Sequence, residues 1–330
     1  MFIGETISLF VALSWTATAL FAEVASKRMG SLPLNVVRMT MSLVLLALTL
    51  WLVMGVPWPR FADGPTWLWL LLSGVVGYVI GDYCLMQGYI YIGSRFGQLF
   101  MTLSAPTAAI MGRLLIGEQM RPLAIVGMCV TLFGIGLSIL SRRDEPAPPY
   151  SMPRLKLSLP RRGVFYASVA GICQGFGLVL SKIGLEHYNA SILASGQALD
   201  AAPAEALVPL PLYISMPFAA TMIRASIGLA GFVALLLLFE RDGKAKLSRA
   251  VHDRKAMWCV FGATIFGPFV GVSMSLLATM YTSTGIAQTL FALTPILIIA
   301  PSVWLFHQRV TPRQILGAII SVAGVSLFFI

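Results

Sequence analysis

The chain has 330 residues, 58% hydrophobic and only 11% charged, with a mean hydropathy of +0.85 and a formal net charge of +10. Soluble domains keep about a quarter of their residues charged, so this composition excludes a water-exposed globule and makes lipid the solvent for most of the surface. The positive charge does not indicate nucleic acid, because it is gathered in short segments between long uncharged runs and no nucleic-acid-reading motif is present.

Spanning a bilayer takes about 20 apolar residues, and ten runs qualify in chain order: 5–26, 33–55, 66–92, 96–117, 121–141, 163–184, 213–239, 256–280, 284–306 and 312–330. The first lacks a basic leading segment and carries Glu5 and Glu23, so it reads as a retained membrane helix rather than a cleaved signal. Trp15 lies mid-helix in it and is a candidate cavity wall. The second run carries Arg38 at a depth similar to that of Glu23. A Glu23–Arg38 ion pair is expected there, as a gate or a tie, with Lys27 competing for Glu23 from four residues on.

The third run holds Asp82. At about 1.5 Å per residue it lies roughly 15 Å from the nearer membrane face, where a charged carboxylate costs on the order of 3 kcal/mol. It must face a cavity, pair with a cation or hold a proton. The functional reading is a carboxylate that binds substrate or couples transport to H+; the bland one is a carboxylate hydrogen-bonded for packing. Tyr78 and Tyr89, four residues before and seven after Asp82, share its expected face. Gln98 and Thr102 follow in the fourth run, where Arg113 and Glu118 sit together at the far edge.

Residues 142–162 are rich in Pro and basic residues and read as a linker. The sixth run carries Gln174. A mildly acidic, Pro-rich insertion spans 186–212, and Arg224 lies early in the seventh run. Ser275, Tyr281 and Gln288 are candidates from the last third. Polar residues in membrane helices also act as interhelical glue, which is the bland reading for each of these. Cys84, Cys129, Cys173 and Cys259 lie in apolar runs without metal or disulfide spacing, so no metal and no cofactor is expected.

Sliding the sequence by 190 residues brings Gly77 onto Gly267, Gly81 onto Gly271, Gln98 onto Gln288, Pro122 onto Pro312, Gly127 onto Gly317 and Gly134 onto Gly324. Nearer the start, Ser26-Lys27 matches Ser181-Lys182 and Arg38 matches Arg224 at other offsets. Units of five helices invert their second copy. The expected fold class is therefore all-α integral membrane, with ten transmembrane helices as two inverted-topology repeats, residues 1–141 and 163–330. Most Lys and Arg, including Lys27, Arg28, the linker and 241–255, fall on one face. The positive-inside rule makes that face cytoplasmic and puts both termini outside the plasma (inner) membrane. The basic loops are expected to meet anionic lipid headgroups.

Val36-Val37-Arg38, then Gly74, Gly77, Gly81 and Gly88, then Leu114-Leu115-Ile116-Gly117-Glu118 followed by Pro122, Gly127 and Gly134 form a pattern that resembles the EamA family of the drug/metabolite transporter superfamily. The resemblance covers nearly the whole chain and implies a transporter of small metabolites. It also implies cytoplasmic termini, against the charge distribution. The second copy departs from it where Gln308 replaces Glu118. The expected function is secondary active transport of amino acids, amines or drug-like solutes by alternating access, with H+ as the coupling ion and efflux as the direction. The alternative is an antiporter of anionic or phosphorylated solutes using Arg38 and Arg224. An enzyme is not expected: the three His lie in loops or at helix ends, away from any buried nucleophile.

Overall fold

The structure, a computed structural model, describes residues 2–139, 160–195, 210–240, 242–299, 301 and 312–329. Every secondary-structure element among them is helical. The first half consists of α1 (Ile3–Met29), α2 (Ser31–Met54), α3 (Gly64–Gly74), α4 (Tyr83–Met101), α5 (Ser104–Ile116) and α6 (Pro122–Ile139). The second consists of α7 (Arg161–Ala194), α8 (Leu210–Phe239), α9 (Gly243–His252), α10 (Arg254–Thr264), α11 (Val270–Thr279), α12 (Thr284–Phe291), α13 (Thr294–Leu297) and α14 (Pro312–Ser326). Wide π turns join α3 to α4 (Val75–Asp82) and α10 to α11 (Ile265–Phe269).

Among the described residues, six spans are long and apolar enough to cross a membrane: Ile3–Met29, Ser31–Met54, Gly64–Met101, Arg161–Ala194, Leu212–Phe239 and Arg254–Thr279. Shorter apolar helices accompany them. The outer surface carries Leu52, Leu238 and Phe239 at 73%, 77% and 77% exposure, a face that only lipid can cover. The interior is the reverse: Ala, Ser and Thr lie between helices, where small side chains allow close approach.

Local signals explain the breaks. Gly30 (φ 82°, ψ 165°) and Gly93 (φ 77°, ψ 166°) adopt the same conformation, which only glycine takes readily, and each links two helices across one residue. Gly93 therefore separates the expected third and fourth runs. Asp63 caps α3 by accepting from Thr66 N at 2.9 Å, and Asp253, 190 residues later, caps α10 by accepting from Ala256 N at 3.1 Å.

α7 differs most from expectation. It runs 34 residues to Ala194, about 51 Å, so the start of the expected insertion is helix. Its last turns dock on the α2–α3 connection: Tyr188 Oη donates to Arg60 O at 2.5 Å and Ser191 Oγ to Phe61 O at 2.6 Å. Residues 196–209 of the insertion, residues 142–159 of the linker, and Gln308 lie outside the described residues.

α6 and α14 pack through small residues. A Cβ on Gly127 would meet Gly324 O at 2.8 Å, and one on Gly134 would meet Gly317 O at 2.7 Å. Between them Thr131 Oγ1 donates to Ser321 O and Ser321 Oγ to Thr131 O, two residues 190 apart. Rising numbers on one helix meet falling numbers on the other, so the matched helices cross antiparallel about a local two-fold at Thr131 and Ser321.

Candidate functional site

A central cavity of about 50 Å³, as water would occupy it, lies between the two halves. That is room for a few waters. Its polar lining is Gln98, Ser104, Gln174, Arg224, Ser275, Gln288 and Thr294, and its apolar lining includes Trp15, Leu178 and Phe291. The polar walls are braced. Gln98 Nε2 donates to Tyr89 Oη at 2.5 Å, Ser104 Oγ donates to Gln288 Oε1 at 3.1 Å, and Gln288 Nε2 donates to Gln174 O at 3.4 Å.

Asp82 stands one layer behind this cavity. Its carboxylate is ion-paired to Arg38 and accepts from Gln174 Nε2 at 3.0 Å. Gln174 Nε2 also donates to Gly77 O at 3.2 Å, so one amide ties α7 to the π turn and to Asp82. Asp82 and Arg38 are 3% and 1% exposed. A charge at the centre of a membrane helix costs on the order of 3 kcal/mol on insertion scales, and pairing offsets it. The π turn matters here because it ends at Asp82. Wide turns inside α-helices recur at functional sites.

Arg224 is 4% exposed and lines the cavity directly. Its guanidinium carbon lies 4.9 Å from the centre of the Tyr78 ring, within cation–π range. Gly77 makes room for it: a Cβ there would lie 2.9 Å from Arg224 Nη2.

The expected Glu23–Arg38 pair is corrected. Glu23 instead binds Lys27 Nζ at 2.5 Å and accepts from Ser94 N at 3.0 Å. Glu23 and Arg38 share a depth but not a helix face, and Lys27 follows Glu23 by one turn on the same helix. Glu118 likewise leaves Arg113 and takes Lys182 Nζ at 2.5 Å, Thr284 N at 3.0 Å and Thr284 Oγ1 at 2.6 Å.

Of the other expected site residues, Trp15, Gln98, Gln174, Ser275 and Gln288 are brought together around the cavity. Tyr78 and Tyr89 support it through Arg224 and Gln98. Thr102 is not among the lining residues, since its hydroxyl bonds to Leu99 O in the turn between α4 and α5. Tyr281 is 45% exposed and packs edge-on against Tyr213, away from the cavity. Ser104 and Thr294 were missed. The available signal was their match at the 190-residue offset; in the structure each opens a helix directly after a turn, at 102–103 and at 292–293.

The comparisons agree on architecture. A solved crystal structure, described only as that of a protein, superposes with a TM-score of 0.63 over 98% of this chain and 96% of its own, at 15% identity. That likeness is one of fold. No curated protein sequence matches the chain. The model of the EamA-like transporter family matches residues 2–140 and again 206–330. The doubled match, the helical spans and the cavity between the copies lead to one conclusion: the chain belongs to the EamA-like transporter family of the drug/metabolite transporter superfamily and is a multi-pass membrane protein that carries small solutes.

Proposed function

We propose that the protein is a secondary transporter with ten membrane crossings in two inverted copies, which exposes its central cavity to the two sides of the membrane in turn. The observation that carries this reading is a matched pair of clamps at opposite ends of α1. Near its end, Glu23 holds Lys27 and the first N–H of the helix that begins at Ser94. Near its start, Glu5 Oε1 accepts from Thr282 Oγ1 at 2.8 Å, beside the Glu118–Lys182 pair that holds Thr284. Glu5 and Glu23 are about 27 Å apart along the helix. Ser94 and Thr284 are repeat partners, as are Lys27 and Lys182. A carboxylate is favoured at a helix N-terminus by the aligned backbone dipoles. Breaking one clamp while the other holds would open one mouth at a time.

Proton coupling through Asp82 has a place in this scheme, because protonating Asp82 would release Arg38 from its only ion pair among the described residues. The end of the bundle bearing Lys27, Arg28 and α9 would face the cytoplasm of the cell, by the positive-inside rule. Impermeant labelling of a cysteine at position 2 in intact cells checks this orientation.

The test is solute exchange in vesicles containing the purified protein, without ATP, using a panel of labelled amino acids, amines, organic acids and sugar phosphates. Ser275→Trp would fill the cavity and stop the flux of any transported solute. Flux unchanged in that variant would remove the cavity from the pathway.

A further inference from the structure

Two arginines and one carboxylate are buried together at the heart of the protein, and the charges do not cancel. Arg38 takes Asp82. The position matching Asp82 in the second copy, 190 residues on, is Val272, and Val272 lines the cavity beside Arg224. No ion pair involves Arg224 among the described residues, and its Nε has no hydrogen-bond partner. The Tyr78 ring covers one face of the guanidinium. A face-on ring leaves the N–H edge available, and that edge matches the two oxygens of a carboxylate or phosphate. Among the described residues no Asp or Glu lines the cavity, so a solute that is only cationic finds no counter-charge from them. The remaining lining, Trp15 and Phe291 together with the amides of Gln98, Gln174 and Gln288, offers apolar surface and neutral donors.

We infer that Arg224 is the anchor for the oxyanion of the transported solute, which is a small organic acid or phosphate ester with an apolar or neutral polar body; the cavity, at about 50 Å³, must widen to admit it. This rests on the transporter reading above and selects the anionic class within it. Gly77 keeps the space the guanidinium needs, and Tyr78 sets its plane.

The test is thermal unfolding of the purified full chain in neutral detergent at constant ionic strength. The probes are sodium benzoate and sodium phosphate, with benzamide and benzylamine hydrochloride as neutral and cationic matches and sodium chloride as reference. Benzoate or phosphate should raise the unfolding temperature by about 2 °C or more, and the neutral and cationic probes should not. Arg224→Gln should lose the response and unfold no earlier than the wild type, since it removes a buried lone charge. Arg224→Lys should fold and keep part of the response, as a point charge without the fork.

An anion response that survives in Arg224→Gln overturns the inference. So does an inert pair of anions, a response to benzylamine in their place, or a response confined to added anionic lipid. Two failures remain distinguishable. If benzamide or benzylamine stabilises the wild type and Ser275→Trp abolishes the effect, the cavity holds solute and only the anion assignment falls. If vesicle flux is indifferent to Ser275→Trp, the transport pathway itself is wrong.

Discussion

Arg38 and Arg224 hold matching places in the two copies and keep opposite company. Arg38 on α2 is paired with Asp82 from its own copy. Arg224 on α8 has Val272 where its carboxylate would be, and it leans across onto Tyr78 of the other copy. A π turn begins at the same register in each copy, at Val75 and at Ile265, although the second is shorter and is broken at Gly267 beside Pro268. The two clamps show the reverse relation. There the chemistry is kept, a carboxylate and a lysine on a helix N-terminus, while the carboxylate comes from α1 in one case and from the segment after α5 in the other. A duplicated scaffold can thus keep both arginines in place while Val272, standing where Asp82 stands in the first copy, leaves one of them without an ion pair among the described residues and facing a cavity.

The largest expected effect tests the neutral pair. Asp82→Leu leaves Arg38 buried without a partner and should cost about 3–5 kcal/mol in unfolding free energy. The double variant Arg38→Met with Asp82→Leu should regain most of that loss in the same denaturation measurement. A single variant no worse than the double would mean that the two residues are not energetically coupled.

Next comes the two-fold itself. A Cβ at Gly134 would lie 2.5 Å from Ser321 Oγ, and one at Gly324 would lie 2.5 Å from Thr131 Oγ1. Gly134→Ala and Gly324→Ala should each lose about 1–3 kcal/mol through overpacking, and the two losses should agree. A marked inequality in thermal unfolding would show that the crossing is not symmetric in energy.

Val272→Asp makes the copies alike by supplying the missing carboxylate. It should lower anion affinity tenfold or more, about 1.4 kcal/mol, in a titration followed by thermal shift, with little change in fold. Unchanged affinity would detach Arg224 from the anion site.

The smallest effect compares the two caps. The Arg28 guanidinium holds the Asp253 carboxyl below its usual range, and the Thr66 hydroxyl does the same for Asp63. A lowered folded value means the stabilisation is complete above the unfolded pKa of about 3.9 and fades as pH falls through the lowered one. Asp253→Asn and Asp63→Asn should each lower stability slightly at neutral pH and leave it almost unchanged in strong acid, which flattens the acid side of a stability–pH curve.

Much of the architecture was legible from residues alone. Gly77 with Gly267 and Pro122 with Pro312 marked the repeat because backbone turns and close crossings admit few substitutes. The partners of the charges were not legible. Glu23 and Asp82 both lie within reach of Arg38 by depth, and only the rotation of each helix about its axis selects Asp82. The π turn spans Val75–Asp82, so spacing counted back from Asp82 to Tyr78 does not follow the 3.6-residue period, and the Gly93 break brings Gln98 onto Tyr89, a contact that spacing along one helix does not show. Lys182 could have been assigned to Glu118 from the Lys27–Lys182 match, had the first clamp been known.

By itself the sequence determined that this chain lives in lipid, that it is helical, that it is built twice and that it carries a carboxylate and two arginines where charge is expensive. Hydropathy and backbone chemistry act locally along the chain, so they can be read there. The tertiary structure alone decided that Asp82 belongs to Arg38, that Arg224 lines the cavity and that the two clamps sit at opposite ends of α1. Those are contacts between helices far apart in sequence, set by packing angles that no single helix contains.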